Sequence, residues 1–369
     1  MSRALCRGAF AALALVAVHA GTAGAQSVLA ARGLGYPIES IDARARGLGG
    51  VALGLPEPSF SLVNPAGSVG LTSAAIAITF QPDQFDATVG SEATSGTTAR
   101  FPNIQAVFQP RPRFSISAGY GAFLDQNWRA VRNDSVTLST GRVAVVDQLR
   151  SQGGIARFRG GLGYQVNARL AVGVSLDAYT GAVRDTAIRN VQGLAPAVTA
   201  TAVTYTGTGL AAGVRWTPLD ALSVAAAVSG GSSLNANADD SLVVDREYAL
   251  PLTVDLGASA RVTGHTLLAV SGRWAGWGAA EEDITNRGGA RDAVNASAGL
   301  EYDGFTILRQ TIPVRLGARV ARLPFRWLGE NTEFPEERAL TAGIGARLGR
   351  GAALVDAAVE RGTRGGDGA

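Results

Sequence analysis

The sequence predicts an all-β protein, specifically a transmembrane antiparallel β-barrel. Two observations lead to this fold class. Apolar and polar residues alternate with period two in segments of about ten residues, and the links between these segments alternate between short and long. A strand sends successive side chains to opposite faces, so the alternation predicts strands with one apolar and one polar face. About ten tilted residues suffice for a strand to cross a bilayer.

Composition excludes several other classes of protein. The chain has 369 residues, of which 46% are apolar and 17% charged, so it is too apolar for a disordered protein. All its basic residues are arginines, and its net charge of +3 includes no polybasic tract, so we expect no nucleic-acid partner. Cys6 is the one cysteine, which excludes a disulfide framework and cysteine-based metal or redox sites.

The first 25 residues predict a secretory signal peptide. Arg3 and Arg7 provide a positive start, an apolar run covers residues 9–20, and Ala23-Gly24-Ala25 is a small-residue cleavage pattern. Cleavage there makes Gln26 the first mature residue. Beyond this point no apolar run reaches the 18 residues of a membrane-spanning helix, so we expect export to the bacterial outer membrane and crossing by strands.

Strand positions follow from the alternation. From Leu252 to Val262 the even positions are apolar, while polar residues such as Asp255 and Arg261 occupy odd positions. The same division recurs along the chain. It predicts thirteen strands, at residues 71–81, 101–109, 113–123, 155–165, 168–179, 207–217, 221–229, 251–262, 265–275, 291–302, 311–322, 338–348 and 352–361.

The links between these strands are sorted by length. Short links at 110–112, 166–167, 218–220, 263–264 and 349–351 alternate with long ones at 82–100, 124–154, 180–206, 230–250, 276–290 and 323–337. Outer-membrane barrels have short periplasmic turns and long extracellular loops. A soluble β-sandwich, the alternative, also has period-two strands, but nothing in that fold sorts its loops by side.

The polar strand faces carry charges of both signs. Such a lining predicts a salt-bridged, plugged interior rather than a wide empty pore. The arginines are Arg157, Arg159, Arg169, Arg215, Arg261, Arg273, Arg315, Arg319 and Arg347, and the acids are Asp177, Asp255, Glu301 and Asp356.

Thirteen is an unexpected count, because single-chain bacterial barrels have an even number of strands. We therefore expect about fourteen strands, with the last one missing. Either the sequence is truncated before that strand, or a strand lies within a long link such as residues 197–205.

Residues 26–70 precede the first strand and show no alternation. They contain ARARGLGGVA at 43–52 and SLVNPAG at 61–67. These motifs resemble the N-terminal hatch of the long-chain fatty acid outer-membrane transporter family, the FadL type. IPVRLG at 312–317, LTAGIG at 340–345 and LVDAA at 354–358 are similar to late strands of that family.

The resemblance implies a domain plan and a function. Residues 1–25 would be the signal peptide, 26–70 the hatch inside the barrel and 71–369 the fourteen-stranded barrel, with its last strand missing here. The family takes up hydrophobic molecules passively, so the expected partners are a hydrophobic small molecule such as a long-chain fatty acid, outer-membrane lipid and lipopolysaccharide. The hatch positions that carry over are Asn64, Pro65, Ala66 and Gly67.

Other functions remain as alternatives. A barrel of this type could act in protein docking or secretion, with a secreted protein as its partner, or as a general aqueous porin. An enzyme is not expected, because His265 is the one histidine left after export and begins a strand beside a turn. Gly47, Gly49 and Ala52 match a dinucleotide fingerprint but follow no buried strand. We expect no cofactor and no metal.

Overall fold

The computed structural model of the chain describes residues 33–56, 60–71, 73–89, 92–138, 141–239, 245–284, 289–307, 310–326, 334–348 and 353–365. The predicted signal peptide at 1–25 and the first residues of the predicted hatch lie outside these ranges. No helix within them is long and apolar enough to cross a membrane.

Almost all described elements are strands. The helical elements are α1 (Ala43–Gly47) and two short 3-10 helices, Pro65–Ser68 and Trp277–Ala280. The strands are β1 (Tyr36–Pro37), β2 (Ala75–Val89), β3 (Glu92–Arg111), β4 (Phe114–Asp125), β5 (Trp128–Leu138), β6 (Gly141–Asn167), β7 (Leu170–Val191), β8 (Ala197–Leu219), β9 (Leu222–Ala238), β10 (Arg246–Ala249), β11 (Thr253–Arg261), β12 (Thr266–Ala275), β13 (Ala293–Tyr302), β14 (Thr306–Ile307), β15 (Gln310–Thr311), β16 (Val314–Arg322), β17 (Glu336–Leu348) and β18 (Ala353–Gly365).

One antiparallel sheet holds sixteen of these strands. Its main path of thirteen strands runs in chain order, β2-β3-β4-β6-β7-β8-β9-β11-β12-β13-β16-β17-β18, while β1, β5 and β10 pair with β4, β6 and β9. Each of the thirteen predicted strands overlaps one strand of this path, which confirms the all-β class and the strand positions. β2 and β18 end the path, and the predicted truncation stays a prediction.

The prediction that the long links are loops is wrong for several of them. β6, β7 and β8 have 27, 22 and 23 residues and continue into the predicted loops, and β5 lies wholly within the predicted loop 124–154. β2, β3 and β9 extend in the same way, and β18 continues past the predicted end at residue 361 as far as Gly365. Where both strand faces contact water, backbone pairing continues without apolar alternation, so the pattern fades before the strand ends.

The two faces of the sheet are inverted relative to a soluble protein. The apolar face points outward to the surroundings, and the polar face points inward. Leu176 is 69% exposed and the next residue, Asp177, only 3%; Leu340 and Thr341 differ in the same way, at 70% and 3%. Aromatic residues of the apolar face, including Trp216 and Tyr164, are exposed there.

Residues 33–56 and 60–71, which we call the inner segment, lie against the polar face. The Ser40 hydroxyl donates to the carbonyl of Ala122 on β4 (3.0 Å), and Arg44 binds Glu301 on β13 (2.8 Å). Helix α1 also contacts β16, β17 and β18. One short segment can reach so many strands only because the sheet curves around it.

Candidate functional site

The four predicted hatch residues form one turn of the inner segment. Asn64 precedes the 3-10 helix Pro65–Ser68, and its Oδ1 accepts the N–H of Ala66 (2.9 Å). Asn and Asp side chains commonly cap helices in this way, and proline fits the first helical position. The Nδ2 of Asn64 donates to the carbonyl of Val214 on β8 (3.1 Å). All four residues, Asn64 to Gly67, are buried, so this turn is fixed against the sheet.

Glycines on the polar face make room for the backbone of the inner segment. At Gly173, a Cβ atom would lie 2.6 Å from both the Pro65 carbonyl carbon and the Ala66 nitrogen. Such contacts are too close for real atoms, so any larger residue must displace the turn. Other strand glycines that face the inner segment are Gly119, Gly163, Gly213, Gly257, Gly299, Gly317 and Gly343.

The glycine-rich motif of the inner segment is explained by one tight turn. Gly49 has φ of +78°, which L side chains rarely adopt. Its N–H donates to the Thr341 hydroxyl (2.9 Å), and that hydroxyl donates to the carbonyl of Gly47 (3.0 Å). A single side chain of β17 thus binds both ends of the turn.

Ion pairs fill the space around the inner segment, as the mixed charge predicted. Arg159 and Asp177 form a bidentate pair at 2.6 Å, and both are buried. Glu301 accepts from Arg315 (2.6 Å) as well as from Arg44 of the inner segment. Charge-assisted pairs of this kind are strong where water is excluded, so they tie the inner segment to the sheet.

Glu39 is the acidic centre of a second group. Its carboxylate lies 3.3 Å from Arg46, 3.4 Å from Arg319 and 3.9 Å from Arg273. Burial alone would raise the pKa of Glu39, but these three guanidinium groups hold that pKa below its usual value. Glu39 is therefore ionised at neutral pH.

A cavity of about 120 Å³, partly open to solvent, begins at Glu39 and extends toward the long links. Phe123, Ala275, Trp277 and Leu323 contribute apolar wall. Ring centroids lie 6.0 Å apart for Phe123 and Trp277, and Trp277 packs edge-on to Phe325 at 5.1 Å. Apolar walls combined with a few polar groups are typical of a small-molecule site.

Arg157 supplies an unbalanced charge to this cavity. It lies on β6 two residues before Arg159, yet no carboxylate of the described residues is within salt-bridge distance of it. Its Nη2 is 3.4 Å from the carbonyl of Leu62, and its buried Nε has no hydrogen-bond partner. The sequence placed Arg157 in the interior but did not single it out, and it gave no signal for Phe123 or Trp277 as cavity residues.

Remaining sequence candidates lie apart from the cavity. His265 is exposed at the turn between β11 and β12, with Nδ1 3.0 Å from an Asp303 oxygen. Within the described ranges, no cluster of three His, Cys, Asp or Glu residues could hold a metal ion.

A family model decides the relationship of the chain to known proteins. The model described as BamG matches residues 3–242, more than half of the sequence. The chain belongs to the BamG family. A sequence search of curated proteins finds no match.

Solved structures similar to this BamG family member share its fold. A Pseudomonas aeruginosa FadL homologue has a TM-score of 0.57 at 13% identity, with 90% of this chain and 91% of that chain covered. The CymD monoaromatic hydrocarbon channel has a TM-score of 0.52 at 16% identity, covering 88% and 93%. The Ralstonia pickettii toluene transporter TbuX has a TM-score of 0.52 at 13% identity, covering 89% and 98%. The resemblance to the FadL type is therefore confirmed at the level of the fold.

Proposed function

We propose that this BamG family member is a bacterial outer-membrane channel for the passive uptake of hydrophobic small molecules, and that long-chain fatty acids are its substrate class. The observation that carries the proposal is the cavity, which combines aromatic and aliphatic walls with the unpaired cation Arg157. Similarity of fold to a hydrocarbon channel and a toluene transporter supports the hydrophobic part of the proposal.

The outward face supports placement in a membrane. On β7 the outward residues from Val172 to Ala182 include Val174 and Leu176, both well exposed. Ten residues at about 3.3 Å each, tilted by about 40°, give an apolar belt roughly 25 Å tall, which is the height of the lipid-facing band of outer-membrane barrels. Exposed apolar side chains over such an area need lipid around them.

The cavity matches the two ends of a fatty acid. An acyl chain gains free energy by leaving water for the walls formed by Phe123, Trp277 and Leu323. A carboxylate needs a cation once water is excluded, and Arg157 is a guanidinium that lacks a carboxylate among the described residues. Arg319 and Arg273 also line the cavity but already contact Glu39.

We assign residues 26–70 the role of a hatch, with Asn64, Pro65, Ala66 and Gly67 as its fixed base. The described part of this segment fills the polar interior below the cavity, so a straight aqueous path is blocked there. The buried turn at Asn64 and the glycine contacts favour a hatch that stays in place while substrate passes. This arrangement disfavours the general aqueous porin.

A separation between two strands offers a side exit. β3 and β4 pair from Arg111 to Asn103, where Asn103 faces Gly121, and the ladder stops there. Above that point the two-residue strand β1 pairs with Leu124 and Asp125 of β4. The cavity reaches β1 through Tyr36 and Pro37, so a substrate could leave between β3 and β4 toward lipid.

The test is uptake of labelled long-chain fatty acid by cells that lack their own transporter. We expect uptake with the wild-type chain and about tenfold less with Arg157→Gln, because a hydrogen bond to a charged group contributes about 1.5–3 kcal/mol. Uptake of labelled toluene, which has no carboxylate, should be equal in both. Arg169→Gln is the matched control, since it removes the same charge at an exposed turn outside the cavity.

The outcomes separate the parts of the proposal. Equal fatty acid uptake with and without the folded protein would exclude the channel function. Unchanged fatty acid uptake by Arg157→Gln would exclude the carboxylate site but keep hydrophobic uptake.

Protein docking remains the second candidate, favoured by β5. Within the described ranges this eleven-residue strand pairs only with β6, so its other edge presents unpaired backbone groups that an added strand could bind. Background-level transport together with stoichiometric co-purification of a secreted protein would favour docking.

A further inference from the structure

Charge is sorted between the two faces of the sheet where β5, β6 and β7 extend beyond the apolar belt. Acidic residues lie only on the inward face of these extensions. Asp147, in register with Arg189 and Arg132, forms a bidentate pair with Arg189 at 2.7 Å, and Asp134 pairs with Arg132 at 3.3 Å. The inward face of these extensions thus carries three acids, Asp134, Asp147 and Asp185, and two arginines, Arg132 and Arg189.

The outward face of the same extensions carries only positive charge. Its outward positions are the odd residues of β5 from 129 to 137 and the even residues of β6 from 142 to 152 and of β7 from 184 to 190. No acid occurs among them. The arginines at these positions are Arg129, Arg142, Arg150 and Arg184, and all four are exposed.

Three of these arginines form one patch. Arg129 and Arg150 are direct partners across β5 and β6, and Arg184 on β7 is in register with Gln152, two residues from Arg150. Diagonal neighbours in a sheet are about 7–8 Å apart, within reach of long side chains. No carboxylate of the described residues pairs with any of the three.

The patch lies at the upper border of the lipid-facing belt. On β7 the outward residues from Val172 to Ala182 are apolar apart from Thr180, and Arg184 is the next outward residue. Twelve residues at about 3.3 Å, tilted by about 40°, raise Arg184 roughly 30 Å above Val172, just beyond the apolar band of about 25 Å. That is the level at which lipid headgroups begin.

A bound anion would stabilise such a cluster of positive charges. Like charges directly opposite in a sheet destabilise it, and Arg129 and Arg150 have no acid beside them on their face. Guanidinium groups bind phosphate oxygens in a bidentate fashion. We propose that Arg129, Arg150 and Arg184 form a binding site for the phosphate groups of an outer-leaflet glycolipid, with the acyl chains of that lipid lying on the belt below.

The inference rests on the proposed membrane placement but not on substrate uptake. Its test therefore uses direct binding to the full-length protein purified in detergent, measured by native mass spectrometry. The probes are lipid A with two phosphates and the same lipid A with both phosphates removed. We expect the wild-type protein to bind the phosphorylated lipid at least tenfold more tightly than the dephosphorylated one.

The triple variant Arg129→Gln, Arg150→Gln, Arg184→Gln should bind both lipids equally weakly. Its matched control is Arg111→Gln, Arg113→Gln, Arg169→Gln, which removes three exposed arginines from the short-link end and should bind like the wild type. All substituted side chains are exposed, and a heat-modifiable gel mobility shows that each variant is folded. Arg150→Gln alone, at the centre of the patch, should already weaken binding severalfold.

Several results would overturn the proposal. Equal affinity of the wild type and the triple variant for phosphorylated lipid A would show that the patch does not bind it. Equal affinity of the wild type for both lipids would show that phosphate is not recognised. Displacement of lipid A by an equal concentration of inorganic phosphate would assign the patch to free anions instead of a lipid.

Discussion

The interior has two halves, a lower half toward the short links and an upper half toward the long links, and different kinds of contact fill them. In the lower half, glycines admit the backbone of the inner segment and arginines meet carboxylates, as in the pair Arg159–Asp177. In the upper half, aromatic rings line an open volume and Arg157 has no carboxylate partner in the described structure. The lower-half arginine Arg159 thus has a carboxylate partner, whereas Arg157 in the upper half bonds the uncharged carbonyl of Leu62.

This difference shows where stability and function reside. Contacts of the inner segment with the strands join residues far apart in sequence, such as Tyr36 and Glu337, so removing one should lower the free energy of unfolding. Side chains of the upper half, such as Arg157 and Trp277, contribute to the proposed substrate binding. The following predictions separate the two halves, beginning with the largest expected effect.

Removing the charge of Glu337 should have the largest effect. This buried carboxylate accepts from Arg319, Arg364 and the Tyr36 hydroxyl. Glu337→Gln leaves Arg319 with too little negative charge around it, and breaking a buried pair costs about 3–5 kcal/mol. Urea unfolding in lipid vesicles measures this loss.

The neighbouring residue provides the control for this loss. Glu336 is half-exposed and pairs with Arg322 and Arg338, so Glu336→Gln should change the free energy of unfolding by less than about 1 kcal/mol. Equal losses for the two variants would contradict the distinction between a buried and an exposed network.

Adding one methyl group beneath the hatch turn should have an intermediate effect. Gly173→Ala places a Cβ against the backbone of Pro65 and Ala66, and overpacking of this kind costs about 1–3 kcal/mol. We expect faster proteolysis at Arg44 and Arg46, because the inner segment is displaced. Gly160→Ala, on the outward face with no atom within 4 Å, should behave as the wild type. Unchanged proteolysis of Gly173→Ala would show that the turn does not need this glycine.

Removing the side chain that caps the hatch turn should have the smallest effect on the free energy of unfolding. Asn64→Ala removes the bond to the Ala66 N–H and the bond to the Val214 carbonyl, which together predict a loss of about 1–2 kcal/mol. Unfolding in urea and fatty acid uptake should be measured side by side. Asn64→Ser keeps a capping oxygen but loses the donor to Val214, so it should recover about half of the loss. Equal losses for Asn64→Ser and Asn64→Ala would contradict the capping role.

How much the sequence can predict is illustrated by two arginines. Alternation placed Arg157 and Arg159 on the same inward face, and the structure agrees. Register then separates them, because Arg159 is opposite Asp177 whereas Arg157 is opposite Tyr179. A pattern of period two gives the face of a residue but not its partner on the next strand. The sequence therefore does not distinguish an arginine that has a carboxylate partner, such as Arg159, from one that has none among the described residues, such as Arg157.

The other limits have similar causes. Strand phases were predictable because lipid and interior impose opposite demands on neighbouring residues. The extensions of β6 and β7 beyond the apolar belt show no sustained alternation in their sequence. The Asn-Pro-Ala motif predicted a rigid turn. Its packing against Gly173 and Gly213 was not predictable, because these glycines lie on strands more than a hundred residues away. Phe123, Trp277 and Phe325 meet only after the sheet has curved.

The long sequence separations of the inner segment have a consequence for the order of assembly. Arg46 contacts Glu360, 314 residues later, and Tyr36 contacts Glu337, 301 residues later. The inner segment is made first, but its binding partners on β17 and β18 are made last. Its correct seating is thus a late event in folding, since contacts of high sequence separation close slowly. Resistance to proteolysis at Arg44 and Arg46 would then mark molecules whose C-terminal strands are in place. The residues synthesised first would thereby report on the folding of the strands synthesised last.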